Sequence, residues 1–170
     1  AALAYLDDHI GRGVKPGLDR ITGLLDLLAA PQSGYPILHI AGTNGKTSTA
    51  RMAATLIAAH GLAPGLFTSP HLHRVEERFE YGLHPMTADQ FGEAMSELAP
   101  IADLYEQRSG EAVTYFELTA ALALSWFAAM SVDIAVVETG LGGRLDATNA
   151  VTSDVAVVTS IGLEHTEYLG

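Results

Sequence analysis

The chain contains no cysteine, which excludes disulfides, thiolate metal sites and a cysteine nucleophile, and fits a reducing cytoplasm. Basic residues are scarce: nine Lys and Arg stand against twenty Asp and Glu, for a formal net charge of −11. A polyanion needs a basic face, so nucleic acid and an anionic membrane surface are excluded as partners. A small anionic ligand must instead be held locally. Long apolar runs are also missing. The longest stretch free of both charged residues and histidine, residues 118–132, has 15 residues, short of the roughly 20 that a bilayer requires, and reads as a buried helix leading into a strand. There is no secretory signal, internal repeat or low-complexity tract. What is present is a 48% hydrophobic composition over 170 residues, enough for one domain with a substantial core.

Within that composition one stretch carries chemistry. Residues 37–40 are apolar apart from His39 and read as a strand, followed by Gly42, Thr43, Asn44, Gly45, Lys46, Thr47 and Ser48. Two glycines allow a tight turn whose N–H groups converge on phosphate oxygens, and the helix that follows adds its positive dipole end. Lys46 supplies a mobile charge, and Thr47 and Ser48 are hydroxyls placed for Mg²⁺ or a β-phosphate. The turn is a shortened P-loop, because Ile40 stands where the first glycine would be.

The rest of the chain alternates helices with short apolar strands. Residues 1–10 read as a short helix whose beginning has been cut away, without an initiator Met or a cap. A loop with Arg12 and Lys15 follows, then a helix with Leu18, Ile21, Leu25 and Leu28 at helical spacing, stopped by Pro31. The helix after the turn runs to about His60, and residues 66–68 form a strand broken by Ser69-Pro70. Charged residues 74–81 suggest an exposed hairpin or loop turning at Gly82. Thr87 with Gln90, and Thr114 with Glu117, are capping-box pairs that open two further helices. The first of these is expected to kink or end at Pro100. Residues 132–137 form a strand closed by Glu138, a glycine-rich loop spans 140–149, and residues 155–159 are a buried-type strand. This pattern predicts an α/β fold of P-loop type, a mostly parallel sheet with helices on both faces.

In such sheets ligands sit beyond the carboxyl ends of the strands. The phosphate turn, Ser69, Glu138 and His165 each follow or close a strand and are therefore expected to gather around one nucleotide. A carboxylate ending an apolar strand beside a phosphate site suits Mg²⁺ better than a cap. Ser69 alone reads equally as a turn residue or a ligand. His165 alone reads more readily as surface or packing, since Mg²⁺ prefers oxygen. The 140–149 loop is not a dinucleotide fingerprint, because Leu145 occupies the place of the third glycine. His73 and His84 read as surface residues.

Together these residues resemble the N-terminal ATPase part of folylpolyglutamate synthase and bifunctional dihydrofolate synthase, in the Mur ligase superfamily. The resemblance spans nearly the whole chain. It rests on K-P-G-L-D-R (15–20), A-G-T-N-G-K-T-S (41–48), T-S-P-H-L (68–72), E-R (77–78), T-Y-F-E (114–117), E-T-G-L-G-G-R-L-D-A-T-N (138–149) and G-L-E-H-T-E-Y-L-G (162–170). The glycine turn is general to Mur ligases, whereas T-S-P-H-L and G-G-R-x-D-A-T-N point to the folate branch. Thr47 departs from a common Gly and Glu164 from a common Asp.

The resemblance implies a Mur ligase central domain as the fold, with Gly42 to Ser48 cradling ATP and Ser69, Glu138 and His165 gathering around Mg²⁺. Lys46, Glu138 and His165 then take the catalytic roles. Asp146, Ala147, Thr148 and Asn149 would place a pterin or folate, and Arg144 would contact phosphate or substrate unless it forms a structural salt bridge. The implied reaction is ATP-dependent addition of L-glutamate to a dihydropteroate or reduced-folate carboxylate through an acyl phosphate, in the cytoplasm and by a monomer. A cell-wall-type Mur ligase and a non-catalytic nucleotide-binding module are the alternatives. Family members continue into a carbamylated-lysine segment and a C-terminal domain, so residues 1–170 are expected to be an incomplete ATP-binding domain without full activity alone.

Overall fold

The computed structural model describes residues 1–163 and Thr166. Its centre is a six-stranded sheet in the order β4-β3-β2-β5-β1-β6. The strands are β1 (Ile37–Ala41), β2 (Pro64–Phe67), β3 (Phe79–Tyr81), β4 (His84–Pro85), β5 (Ile134–Glu138) and β6 (Val155–Val158). β2, β5, β1 and β6 run parallel, and β3 with β4 adds an antiparallel hairpin beyond β2. The helices are α1 (Ala2–Asp7), α2 (Asp19–Leu27), α3 (Lys46–Ala59), α4 (Ala88–Ser109) and α5 (Tyr115–Ala129). None of the described helices is long and apolar enough to cross a membrane.

The alternation of side chains along each strand divides the core in two. Ile40, Leu66 and Val136 point to α3 and meet Ala50 and Ala54, small residues that let the helix lie close. Ile37, Phe67, Ala135 and Val137 point to the other face, where α5 packs with α2 and α4 behind it. The expected parallel sheet covered on both faces is therefore present. α5 is buried on nearly every side, which explains its lack of a polar stripe. Both capping boxes form: Thr87 with Gln90 opens α4, and Thr114 with Glu117 opens α5.

Three details differ from the sequence reading. α4 continues through Pro100 for 22 residues. Pro100 and Ser96, whose carbonyl loses its donor, lie on the exposed side, so water can serve that carbonyl, while buried Leu98 and Ala102 hold the helix on the core. The hairpin turns at Gly82 as expected, with Gly82 and Leu83 both at positive φ, but only Leu83 and β4 are exposed, while β3 is largely buried. Phe79 is buried against Phe67 and Phe91, and Glu80 is bonded by Arg51 from α3. Finally, β6 is the outermost strand on its side among the described residues, leaving Val155 and Val158 half to two-thirds exposed rather than buried.

At Gly65 on β2 the sheet comes so near α5 that an added Cβ would lie 2.8 Å from the Phe127 ring. Gly65→Ala is expected to lower stability by about 1–3 kcal/mol through overpacking, as measured by urea denaturation.

Candidate active site

The carboxyl ends of β1, β2 and β5 are aligned by their register: Ile40 lies beside Glu138, and Phe67 beside Val137. The turn after β1 uses Gly42 and Gly45 at positive φ. At Gly42 a side chain is excluded twice over, since an added Cβ would sit 2.0 Å from Thr159 Oγ1. α3 then begins at Lys46 with Gly45 as its cap and no capping side chain, so its first N–H groups are left to an outside acceptor. The turn is braced from β6's end. Thr43 N–H donates to the Ser160 carbonyl at 2.8 Å, and Gly162 N–H donates to Thr43 Oγ1 at 3.1 Å. Asn44 and Ser48 are exposed at the rim. Lys46 folds back, its Nζ donating to the carbonyls of Gly42 at 2.7 Å and Thr43 at 3.2 Å.

Glu138 completes this corner. Strand alternation places it on the same face as Val136, toward α3, where Thr47 Oγ1 donates to its two oxygens at 2.8 and 3.0 Å. Ser69 N–H donates to Oε2 at 3.3 Å. The residue is 1% exposed. Burial pushes its carboxyl above the usual range, opposed by the Thr47 and Ser69 hydrogen bonds and by the charges of Lys46 and Arg51. The structure thus brings Lys46, Thr47, Ser69 and Glu138 together. His165 lies outside the described residues.

The D-A-T-N segment has a different character. Asp146 accepts from the N–H groups of Gly140, Leu141 and Thr148 at 3.0, 2.8 and 3.0 Å, and from Thr148 Oγ1 at 2.6 Å. Thr148 Oγ1 uses its hydrogen as donor to Asp146, so His39 Nε2, 2.8 Å away, is the donor to Thr148. Burial lowers the His39 pKa, which keeps the ring neutral in this role. Asn149 Nδ2 donates to the Arg144 carbonyl at 3.0 Å. Asp146 and Thr148 therefore spend their polar groups on the shape of the loop, and Asn149 contributes its amide N–H to it. Arg144 is exposed and makes no ion pair among the described residues, and Ala147 is buried.

Beside the phosphate turn opens a cavity of about 740 Å³ that Thr43, Lys46 and Ser69 also line. Its other walls are Phe116, Leu141, Leu145 and Pro16, with Asp146 and Arg78 among the polar groups. Sequence reasoning did not single out Arg78, Thr114, Phe116 or Lys15 as site residues. Thr114 looked only like a cap, and Arg78 belonged to a charged stretch read as surface. Two ion pairs hold the cavity's outer wall. Arg20 bonds Glu117 (Nη2 to Oε1, 2.9 Å) and the Lys15 carbonyl, while Arg12 bonds Glu106 and the Val113 carbonyl.

With this geometry in view, comparison with known proteins places the chain. Residues 40–170 match the family described as the Mur ligase middle domain. The chain belongs to that family. It is 44% identical over 164 residues to the dihydrofolate synthase/folylpolyglutamate synthase of Mycobacterium tuberculosis, covering 92% of this chain but 34% of that protein. Crystal structures of Mycobacterium tuberculosis folylpolyglutamate synthase complexed with ADP and AMPPCP superpose with a TM-score of 0.90 at 42% identity, over 100% of this chain and 39% of theirs. The Escherichia coli FolC complex with DHPP and ADP gives 0.89 at 36% identity, over 99% of this chain and 39% of that one. This Mur ligase middle domain thus spans little more than a third of those relatives.

Because the folded-state carboxyl of Glu138 titrates above its ordinary value of 4.5, folding takes up a proton there, and stability falls as pH rises from 4.5 through the raised value. Glu138→Gln mimics the protonated form. In EDTA at neutral pH it should melt higher than the parent, a gain that vanishes below pH 4.5, as followed by circular dichroism.

Proposed function

We propose that this chain is the ATP-binding part of a cytoplasmic ligase that joins L-glutamate to the carboxylate of a dihydropteroate or reduced folate. The observation that carries the reading is that the glycine turn and the apolar-walled cavity are continuous: Thr43, Lys46 and Ser69 border the same space as Phe116 and Leu141. A phosphoryl donor at the turn and a ring-bearing acceptor in the cavity would meet at Ser69 and Glu138. The relatives' names and the ADP, AMPPCP and DHPP of their complexes support the same assignment.

The donor set suits Mg²⁺: the Glu138 carboxylate, with the Thr47 hydroxyl bonded to it and Ser69 adjacent, offers hard oxygen. Glu138, Thr47 and Ser69 would hold the ion, with His165 as a further candidate, and the ion would neutralise charge on the phosphates. The chain's own part is positioning. The uncapped N–H groups of α3 receive the phosphates, and Lys46 exchanges its two carbonyl partners for phosphate oxygens. An acceptor carboxylate oxygen then attacks the γ-phosphorus as the bond to the bridging oxygen of ADP breaks. The amine of glutamate attacks the acyl phosphate carbon, and phosphate leaves as the amine gives up a proton. No side-chain nucleophile is needed. Asp146, Thr148 and Asn149 serve the acceptor by holding the 140–149 loop around it, and Arg144 at its exposed rim meets phosphate or substrate.

The test uses the complete gene product with ATP, Mg²⁺, glutamate and, in turn, dihydropteroate and a tetrahydrofolate. Amide formation with either acceptor is expected; turnover with neither would overturn the reading. Lys46→Ala should reduce ligation about 10²-fold or more while leaving the melting temperature within about 2 °C, since its charge acts on the transferring phosphoryl group rather than on the core.

A further inference from the structure

Arg78 is the buried arginine of the described chain that lacks a carboxylate partner. Arg12, Arg20, Arg51 and Arg74 each pair with Glu106, Glu117, Glu80 and Glu76, and Arg108 and Arg144 are exposed. Arg78 is only 8% exposed, yet among the described residues no Asp or Glu lies within ion-pair distance. Its side chain is nonetheless fixed. Nε donates to His71 Nδ1 at 2.9 Å, and the guanidinium carbon lies 5.4 Å from the centre of the Tyr115 ring. Its two Nη groups have no hydrogen-bond partner among the described residues, and the side chain borders the cavity. In a chain of net charge −11, with carboxylates to spare, a desolvated guanidinium left without one is costly unless a ligand supplies the charge.

The carboxylates on the same cavity wall are not available to it. Glu117 is taken by Arg20 and by the Thr114 N–H, and Asp146 by the loop it organises. The phosphate end of the cavity has its own donors in the start of α3 and Lys46. His71, which anchors Arg78, follows Ser69 by two residues, and Arg78 borders the same cavity as Ser69 and Lys46, where an acceptor's acid group would approach the phosphoryl donor.

We propose that Arg78 is a specificity-determining residue that receives the carboxylate of the acceptor substrate through its free Nη groups. This rests on the ligase reading given above. The planar fork matches two carboxylate oxygens, and the His71 and Tyr115 contacts hold it in place before the ligand arrives, which lowers the ordering cost of binding. The pair orients the nucleophilic oxygen, and His71 Nδ1, accepting from Arg78 Nε at 2.9 Å, fixes the fork.

The test compares the complete enzyme with Arg78→Lys and Arg78→Met, using calorimetric binding of a dihydropteroate and of its carboxamide, which has the same rings without the charge. The parent should bind the acid at least about tenfold more tightly than the amide, and Arg78→Met should abolish that preference. Arg78→Lys, which keeps the charge but loses the fork, should retain part of it. In turnover the acceptor KM should rise about tenfold or more in Arg78→Met, with the KM for ATP within about twofold. An acid-to-amide ratio unchanged in both variants would overturn the proposal, even if both melt at lower temperature, because a merely structural role would weaken the two ligands alike. Parent ligation alongside an unchanged ratio would sink the Arg78 assignment alone. Absence of parent ligation would sink the ligase reading and this assignment with it.

Discussion

A carboxylate at the end of a central parallel strand is difficult to bury, and the active corner is arranged around that difficulty. Glu138 is almost fully enclosed, has no basic partner within ion-pair distance among the described residues, and is satisfied by one hydroxyl and one backbone N–H. Those bonds join three elements at one point: the end of β5, the first turn of α3 and the segment after β2. The resulting corner is rigid but electrostatically unfinished, the state expected of a site that awaits a cation and phosphates.

The division of labour across the sheet follows from strand periodicity. On the α3 face, alternation carries Val136 into the core and then Glu138 into the phosphate corner. On the α5 face it carries Ile37 into the core and then His39 toward Thr148, from which the bonding passes to Asp146 and so to the backbone of Gly140 and Leu141. One face of the strands thus supports the glycine turn, and the other supports the loop that walls the adjoining cavity. The two halves are set at a fixed separation by the same sheet.

Polar residues in this chain separate into those that are finished and those that are open. Asp146, Glu117, Glu106 and Arg20 have their hydrogen bonds within the protein and define shape. Lys46 and Arg78 have provisional or incomplete partners and face the cavity. That contrast is invisible in a list of residue types, since both sets contain the same chemistry. Within D-A-T-N, Asp146 and Thr148 brace the loop while Asp146 and Ala147 also border the cavity, and an arginine in a stretch that read as surface became a candidate for recognition.

By itself the sequence determined the layers and the phosphate turn, because these depend on local spacing: apolar runs of strand length, capping boxes three residues apart, and two glycines before Lys46. It also placed Ser69 and Glu138 just beyond or at the ends of β2 and β5, beside the turn, since the rule for parallel sheets is topological. The tertiary structure alone decided which polar groups were left unsatisfied, that Phe79 on β3 was buried by Phe91 from α4, and that β6 lay outermost among the described residues with Val155 and Val158 exposed. Those outcomes rest on contacts between residues distant in the chain, where burial and partner geometry, rather than residue type, set the energy of each charge.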